Sequence, residues 1–537
     1  MMASPPSTLT PLLVSFAIVK LEEPVVGSFH ARTLRNWHWR DFHSVPSSSA
    51  VERMREDEYT AHAELFCFPE VELVAKNVAG ESATPTAGIL IDVEPMSHDK
   101  ITSRGRYAFV FALTDAQGRR TFGFCLRLKS MRQTSHVAPA WTLCILSHLY
   151  VWRECAPFLP SFLARILRDI NLLSTSTSTS TSTSTSTSTL TTCSGWRSLF
   201  FTLLNLFADR LLQPDASKPT APEAGRYIDN LLGPGSEFDQ QVSQLLRWIY
   251  SQPLPSQVRP LSLPISQSNA ATLVDYSAPI DPAQHVMKQI VAQDLLLDPH
   301  FEGLFQCLGV TRLLLVFSSL LHERRVLITS SNLSLLTYSI LALCSTLLPF
   351  CWQHIFIPVL PPSILAYCAA PIPFILGVHS SSYAAAMRHP VEEVLIINLD
   401  KRYDSPDEGE RKAALRFSEI HKQDLRSLPD GLIRPLKNSL QSTLEISSTT
   451  IDNDAVSHAF RQFFVQAVGN YKDHFVPVKV SRLLADACEN SALKLQFNFD
   501  SFIKSQPAAW RPVRSSPSSP LVDSNPSSHA GKCANNL

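Results

Sequence analysis

A long stretch without charged residues occupies the middle of this chain. From Val326 to Met387 there is no Asp, Glu, Lys or Arg, and a dense polar group, His322-Glu323-Arg324-Arg325, comes immediately before it. Such a stretch has to be removed from water, because exposing apolar surface is unfavourable. It therefore belongs either to a membrane or to the core of a folded domain.

The membrane alternative fails on length and on proline content. A spanning helix needs about 20 mainly apolar residues in succession. The best window, Leu335 to Phe350, is shorter and contains four Ser and Thr residues, and the segment after it is interrupted by prolines 358, 361, 362, 371 and 373. Proline is poorly tolerated inside helices. We therefore expect no transmembrane segment here, and assign the stretch to the core of a globular domain.

The charge-free stretch and its flank alternate between strand-like and helix-like segments. Short β-prone runs at 326–329, 355–357, 374–376 and 394–399 are typical of strands buried on both faces. Residues 333–348 predict a buried helix between the first two runs. Strands that alternate with helices indicate an α/β layer with a mostly parallel central sheet.

Composition and motifs argue against several classes of function. Lys plus Arg and Asp plus Glu both number 47, so the net charge of zero gives no support for nucleic-acid binding. The eleven cysteines include no CxxC pair, which indicates reduced, buried thiols rather than a disulfide framework or a zinc site. The motifs GxxxxGK[ST], GxGxxG, HExxH and GxSxG are absent. We therefore expect no cofactor, no metal and no covalent catalysis.

Changes in composition divide the chain into parts. We assign a divergent N-terminal segment at 1–60, an upstream lobe at 61–250, a linker at 251–282, a core module at 283–400, a downstream helical part at 401–510 and a disordered tail at 511–537. The upstream lobe carries an insertion at 150–195 that includes a strict Ser-Thr alternation. That repeat has no apolar side chain to bury and predicts a disordered tether, either a phosphorylation target or a repeat without function.

Elements outside the core module also have clear signatures. The aromatic-rich runs 107–113 and 120–128 flank a turn with Asp and Gly and predict a β-hairpin. Apolar residues at helical spacing predict helices at 196–212, 431–444 and 456–473.

Three groups of motifs together resemble the DENN family. The core module carries LHERRVLI, WQHIFIPVLPP, YCAAPIPFILGVHSS and VLIINLD in that order. Upstream, LFCFPE, FVFALTDAQGRRTFGFC and CILSHL resemble the smaller N-terminal part of the same family. Downstream, DLRSLP and AFRQFFVQAVGNYKDHF resemble its C-terminal helical part. The spacing is most similar to that of the connecdenn, or DENN domain-containing 1, subfamily.

The resemblance implies a fold and an activity. The fold is the two-lobed α/β DENN architecture, a longin-like N-terminal lobe plus an α/β C-terminal lobe with a helical C-terminal part. The activity is guanine-nucleotide exchange, in which the protein promotes GDP release from a Rab-family small GTPase, bound preferentially in its GDP-bound or nucleotide-free form. The implied setting is cytoplasmic, with peripheral association through partners on clathrin-coated vesicles, endosomes or the plasma membrane.

Two other functions stay open at this point. A DENN scaffold could bind a small GTPase, or another DENN protein, without exchanging its nucleotide. A GTPase-activating protein would need an arginine donated to the γ-phosphate, for which Arg324 or Arg325 are the residues to consider.

The resemblance also implies a Rab-binding surface. The expected contact residues are His322, Glu323, Arg324, Arg325, Ser330, Ser331, Asn332, Tyr471 and Lys472. For Arg324 and Arg325, maintenance of the fold is an equal alternative, because charged residues beside a buried sheet often pair internally. The sequence also departs from the family in its first 60 residues, in the insertion at 150–195, which is either an extruded loop or mis-spliced sequence, and in lacking the long adaptor-binding tail. We therefore do not expect direct clathrin or adaptor recruitment.

Overall fold

The chain forms two α/β lobes and a C-terminal group of helices. The computed structural model describes residues 14–25, 28–38, 63–71, 106–114, 120–128, 141–147, 193–194, 200–201, 203–205, 207–208, 232–251, 261–266, 285–291, 300–350, 352–391, 393–446, 451–470, 475–477 and 495–497. Most of the insertion at 150–195, the tail at 511–537, and both Tyr471 and Lys472 lie outside the described residues.

Five antiparallel strands form the sheet of the N-terminal lobe, in the order β2-β1-β5-β4-β3. They are β1 (Ser15–Val25), β2 (Ser28–His38), β3 (Arg106–Thr114), β4 (Arg120–Leu128) and β5 (Trp141–Ser147). The predicted hairpin is confirmed as the antiparallel pair of β3 and β4. The first two strands come from the segment set apart as divergent, so the lobe begins well before residue 61.

Aromatic side chains bury both faces of this sheet. On one face Phe124 packs against Phe200, with ring centroids 4.4 Å apart, where residues 200–208 are helical wherever they are described. Helix α1 (Glu237–Ser251) reaches the same lobe through Phe238. On the other face, the short helical segment 63–67 places Phe66 against Phe111. The sheet is therefore the middle layer of three.

The C-terminal lobe has the mostly parallel sheet that the sequence predicts. Its order is β10-β11-β9-β12-β13, and the first four strands are parallel while β13 is antiparallel to β12. The strands are β9 (Val326–Ser330), β10 (Ile355–Ile357), β11 (Phe374–His379), β12 (Leu395–Asn398) and β13 (Leu415–Arg416).

Side chains alternate between the two faces of β9, and each face has its own apolar cover. Val326 and Ile328 join the large core with α2 (Glu302–Leu321) and α3 (Leu333–Ser345). Leu327 belongs to a second core, formed under the 3₁₀ helix Pro362–Ala369 and α4 (Ser380–Ala386). Burial on both faces explains why this part of the sequence carries no charge.

Four further helices come after β12: α5 (Glu408–Ala414), which lies between β12 and β13, and then α6 (Glu419–Ser427), α7 (Asp430–Ile446) and α8 (Asn453–Val468). They pack on α2, where Phe317 meets Phe460, Phe463 and Phe464 at centroid distances of 4.9, 5.2 and 6.0 Å. The helices predicted at 431–444 and 456–473 are confirmed, although the second begins earlier and ends at Val468.

Helix α2 is the one described helix that is long and apolar enough to cross a bilayer. In the structure 72% of its apolar window is buried inside the protein. Core helices of globular domains have the same composition, so this helix is weak evidence for a membrane span. A kink at Gly309, where φ is +63°, breaks its regular backbone.

Part of the predicted linker is a strand. β7 (Leu261–Ser266) pairs antiparallel with β8 (His285–Val291), which pairs on its other side with β6 (Cys193–Ser194). A short hairpin-like pair, β14 (Phe475–Pro477) and β15 (Leu495–Phe497), ends the described structure. The Pro- and Ser-rich composition of 251–282 concealed the strand.

Candidate functional site

The predicted contact residues lie at two opposite ends of one buried strand. His322, Glu323, Arg324 and Arg325 precede β9, and Ser330, Ser331 and Asn332 close it or follow it. A five-residue strand spans roughly 17 Å at the usual rise. The seven residues therefore form two separate groups, which we name the amino edge and the carboxyl edge of the C-terminal sheet.

At the amino edge, Arg324 is tied to a helix of the same lobe. Its Nε and Nη2 atoms donate to the two carboxylate oxygens of Asp424 at 2.9 and 2.8 Å. The Asp424 side chain is 5% exposed, whereas that of Arg324 is 38% exposed. This bidentate hydrogen bonding raises the pKa of the guanidinium. Arg324 thus holds α6 against the start of β9.

The two residues before Arg324 are more accessible. His322 ends α2, and its ring contacts the Ser318 carbonyl oxygen through Nδ1 at 2.8 Å and Ser427 Oγ through Nε2 at 3.1 Å. Glu323 has a φ of +53°, a conformation that is rare for a residue with a side chain. Its side chain is 56% exposed and lies 3.1 Å from His354 Nε2. This tight turn presents the Glu323 carboxylate to solvent.

The N-terminal lobe also reaches the amino edge. Arg120, the first residue of β4, donates from Nη2 to the Trp352 carbonyl oxygen at 2.6 Å, and its guanidinium lies 4.8 Å from the centre of the Phe356 ring. The ring of Trp352 in turn donates to the Ile355 carbonyl oxygen. Arg120 therefore connects the two lobes beside the turn that carries Glu323.

At the carboxyl edge, one carboxylate organises the predicted residues. Asp400 accepts hydrogen bonds from Ser330 Oγ at 2.9 Å and from the Ser331 amide at 2.8 Å. Asn332 caps α3 by accepting from the Leu335 amide at 3.1 Å. Ser330 is buried, so its hydroxyl group stabilises the loop and is not available to contact a partner protein.

His379 connects the carboxyl edge to the N-terminal lobe. Its Nε2 lies 3.0 Å from the Ser331 carbonyl oxygen, and its Nδ1 accepts from the Ser381 amide. Ser381 Oγ donates across the lobe boundary to the Glu70 carbonyl oxygen at 3.1 Å. Burial lowers the pKa of His379, which keeps the ring neutral, so that its Nδ1 can accept the hydrogen bond from the Ser381 amide.

Two exposed apolar side chains were missed in the sequence. Tyr367 is 46% exposed and Ile372 is 51% exposed, both in the crossover between β10 and β11. Ile372 precedes β11 as Glu323 precedes β9, and Ile375 pairs with Val326, so the two lie at the same edge of the sheet. Only the short interruption between prolines 371 and 373 hints that Ile372 leaves the core.

Comparison with known proteins matches both lobes. A model of the DENN (AEX-3) domain matches residues 238–402, and a model of the uDENN domain matches residues 49–128. This chain is a DENN-domain protein. The amino edge of its C-terminal sheet lies within the DENN match, and Arg120 lies within the uDENN match.

Relatives that share both lobes include DENN domain-containing proteins 1A, 1B and 1C. The chain is 27% identical to human DENN domain-containing protein 1B over 388 residues, which cover 71% of this chain and 37% of that protein. It is 36% identical to human DENN domain-containing protein 1A over 169 residues, or 32% of this chain and 15% of the relative. Human DENN domain-containing protein 2B is 37% identical over 181 residues, 32% of this chain and 15% of its own length. The chain thus spans little more than a third of the 1B relative.

Proposed function

We propose that this protein is a guanine-nucleotide exchange factor that promotes GDP release from a Rab-family small GTPase. DENN-family proteins are generally associated with small GTPases, and both lobes of that architecture are present here. The observation that carries the proposal is the joined pair of lobes, which Arg120 connects beside an exposed edge of the C-terminal sheet and Ser381 connects at the other edge.

The amino edge is the surface we assign to the GTPase. It offers an exposed apolar side chain, Ile372, an exposed carboxylate, Glu323, and the exposed imidazole of His322, next to the contact with the N-terminal lobe. Protein interfaces typically combine an apolar centre with a polar rim. By contrast, Ser330 and Ser331 at the carboxyl edge already donate hydrogen bonds to Asp400. Arg324 then acts mainly as support, because its guanidinium is committed to Asp424.

Exchange requires no covalent chemistry from such a surface. An exchange factor works by binding the nucleotide-free GTPase more tightly than the nucleotide-bound one, so that its binding energy stabilises the intermediate of the reaction. The phosphates and Mg²⁺ hold the switch segments of a GTPase in order, and displacing those segments releases the nucleotide. What this protein has to supply is a rigid face of the right shape.

A nucleotide-release assay tests the proposal. The full chain is added to a panel of Rab GTPases loaded with fluorescent GDP, and we expect it to accelerate release from at least one of them. Replacing Ile372→Asp should reduce the acceleration at least tenfold, which corresponds to about 1.4 kcal/mol of lost transition-state stabilisation. Folded protein that accelerates no Rab overturns the proposed function.

The matched control is the same change at another exposed apolar residue. Tyr403 is 41% exposed and follows the carboxyl end of β12, so it lies on the side of the sheet away from the amino edge. Tyr403→Asp should leave the exchange rate within about twofold of the parent, since a surface substitution away from the contact changes little. An equal loss in both variants would show that the amino edge is not the contact surface.

Binding without exchange is the competing outcome. A DENN scaffold would bind the GTPase with the same affinity in every nucleotide state, and GDP release would stay at its intrinsic rate. Faster GTP hydrolysis with unchanged GDP release would instead favour a GTPase-activating protein.

A further inference from the structure

Three cysteines distant in the sequence meet in the core of the N-terminal lobe. Cys125 in β4 and Cys144 in β5 are direct cross-strand partners, and Cys67 ends the helical segment 63–67 above them. Their sulfur atoms all lie within 4.8 Å of one another. Each side chain is at most 1% exposed. This group, the cysteine cluster, has no part in the proposed GTPase surface.

The spacing of the sulfur atoms is close to that of a thiolate metal site. Zinc binds thiolate sulfur at about 2.3 Å in tetrahedral geometry, which puts the sulfurs of one site about 3.8 Å apart. Rotamer adjustments of a few tenths of an ångström per side chain would bring the three sulfurs to that separation. Cys125 and Cys144 come from adjacent central strands, so the backbone already fixes two of the three ligands.

A small cavity adjoins the cysteine cluster where a fourth ligand would sit. It has a volume of about 20 Å³ and is lined by Cys67, Cys144, Glu64 and Ser15, among others. A cavity of that size holds one water molecule. Ser15 Oγ is fully buried and, within the described part of the chain, forms no hydrogen bond. A water in this cavity would satisfy that hydroxyl.

Charge also favours an ion at this position. Arg127 lies on the same face of the sheet as Cys125, donates to the Cys67 carbonyl oxygen and pairs with Glu70. A Zn²⁺ ion with three thiolates carries one net negative charge, and the Arg127 guanidinium, which is also paired with Glu70, offsets part of it. The thiol protons leave to solvent when the ion binds.

We propose that Cys67, Cys125 and Cys144 bind one zinc ion, with a water in the adjoining cavity as the fourth ligand. The ion ties the segment 63–71 to the middle of the sheet. That segment provides Glu70, whose carbonyl oxygen accepts the hydrogen bond from Ser381 in the other lobe. The site therefore stabilises the N-terminal lobe at its boundary with the C-terminal lobe.

Metal content of the full chain tests the proposal. Protein purified with reductant and stripped by a chelator is incubated with Zn²⁺, desalted and measured by elemental analysis. We expect one tightly held zinc per chain, and none in Cys125→Ala or Cys144→Ala. Cys344 and Cys368 are buried cysteines outside the cluster, so Cys344→Ala and Cys368→Ala are matched controls that should retain the metal.

A spectroscopic measurement on the unaltered chain covers the case in which the cluster variants do not fold. Co²⁺ should produce thiolate charge-transfer absorption, and X-ray absorption of the zinc form should show three sulfur neighbours and one oxygen. An unaltered chain that binds no zinc overturns the proposal. So does equal zinc loss in the Cys368→Ala control, or a Cys125–Cys144 disulfide found by mass spectrometry in the purified protein.

Discussion

The Arg324–Asp424 pair should respond very differently to removal of one partner or the other. Arg324→Ala leaves a carboxylate that is 5% exposed without its bidentate donor. Asp424→Ala leaves a guanidinium that is 38% exposed and that water can reach. A buried charge without a partner is strongly destabilising, whereas an exposed charge is rehydrated at little cost.

The burial of each partner sets the magnitudes. Removing one partner from a buried pair costs about 3–5 kcal/mol, and we expect Arg324→Ala at the lower end, about 3 kcal/mol, since its own side chain is partly in water. Asp424→Ala should cost about 1 kcal/mol, the value typical of a lost hydrogen bond at a partly exposed site. The two single variants should therefore differ by about 2 kcal/mol.

Lowering the pH should reduce the loss of stability that Arg324→Ala causes. His421 is buried near this pair; burial is the main cause of its lowered pKa, and the charge of Arg324 lowers it further. Without Arg324 the pKa of His421 rises, and a protonated His421 would offset part of the missing charge beside Asp424. The defect should consequently be smaller at pH 5.5 than at pH 7.5.

Urea unfolding, together with hydrogen exchange of peptides that cover α6 and β9, measures both effects. Arg324→Ala should shift the midpoint further than Asp424→Ala, and the double variant should be close to Arg324→Ala or less damaging. Equal shifts in the two single variants would refute this reasoning. Full stability of Arg324→Ala with lost exchange activity would make Arg324 a contact residue instead of a support.

Three further outcomes are expected. A Cβ atom at Gly377 would lie 1.9 Å from the Pro358 carbonyl oxygen, so Gly377→Ala should lower the melting temperature by several degrees in a thermal scan. Phe317→Ala should cost about 3–5 kcal/mol in urea unfolding, because it empties a fully buried site among the rings of α8. Burial lowers the pKa of His379 and His421, so the unfolded chain binds more protons, and the unfolding free energy should fall as pH drops below about 6.5. A pH series of melts checks this, with His379→Gln flattening the slope.

The sheet of the C-terminal lobe was predictable because its strands are buried on both faces. Uncharged β-prone runs separated by a helix-length segment allow few other folds, and every predicted strand has both ends within three residues of its expected bounds. The hairpin of β3 and β4 was predictable for a related reason, since its turn residues separate two aromatic-rich runs.

The failures have physical causes. β1 includes the apolar run 16–19, which is too short to identify as a central or an edge strand without its partner β5. β7 contains Pro264, and proline in a short run argues against a strand. The cysteine cluster brings together residues 58 and 19 positions apart, a spacing that carries no motif. Pairings between distant residues are set by the tertiary fold and not by local pattern.

The arrangement of the predicted contact residues was likewise only partly predictable from the sequence. The sequence correctly predicted polar residues at both ends of β9. It could not show that Asp400 accepts the hydrogen bonds of the residues at one end, or that Asp424 accepts those of Arg324 at the other. It also gave no way to distinguish the exposed Ile372 from the buried apolar residues around it. Exposure depends on the folded structure, and an uncharged stretch of sequence does not reveal which of its apolar residues lie at the surface.

The affinity of the full chain for its Rab in three nucleotide states tests the central claim most directly. Biolayer interferometry would compare the nucleotide-free, GDP-bound and GTP-bound forms of the GTPase at one salt concentration. An exchange factor must bind the nucleotide-free form most tightly, because the difference in affinity is what weakens GDP binding. We predict a preference of at least a hundredfold, or about 2.7 kcal/mol. Equal affinity for all three forms would contradict the account and leave a scaffold in its place.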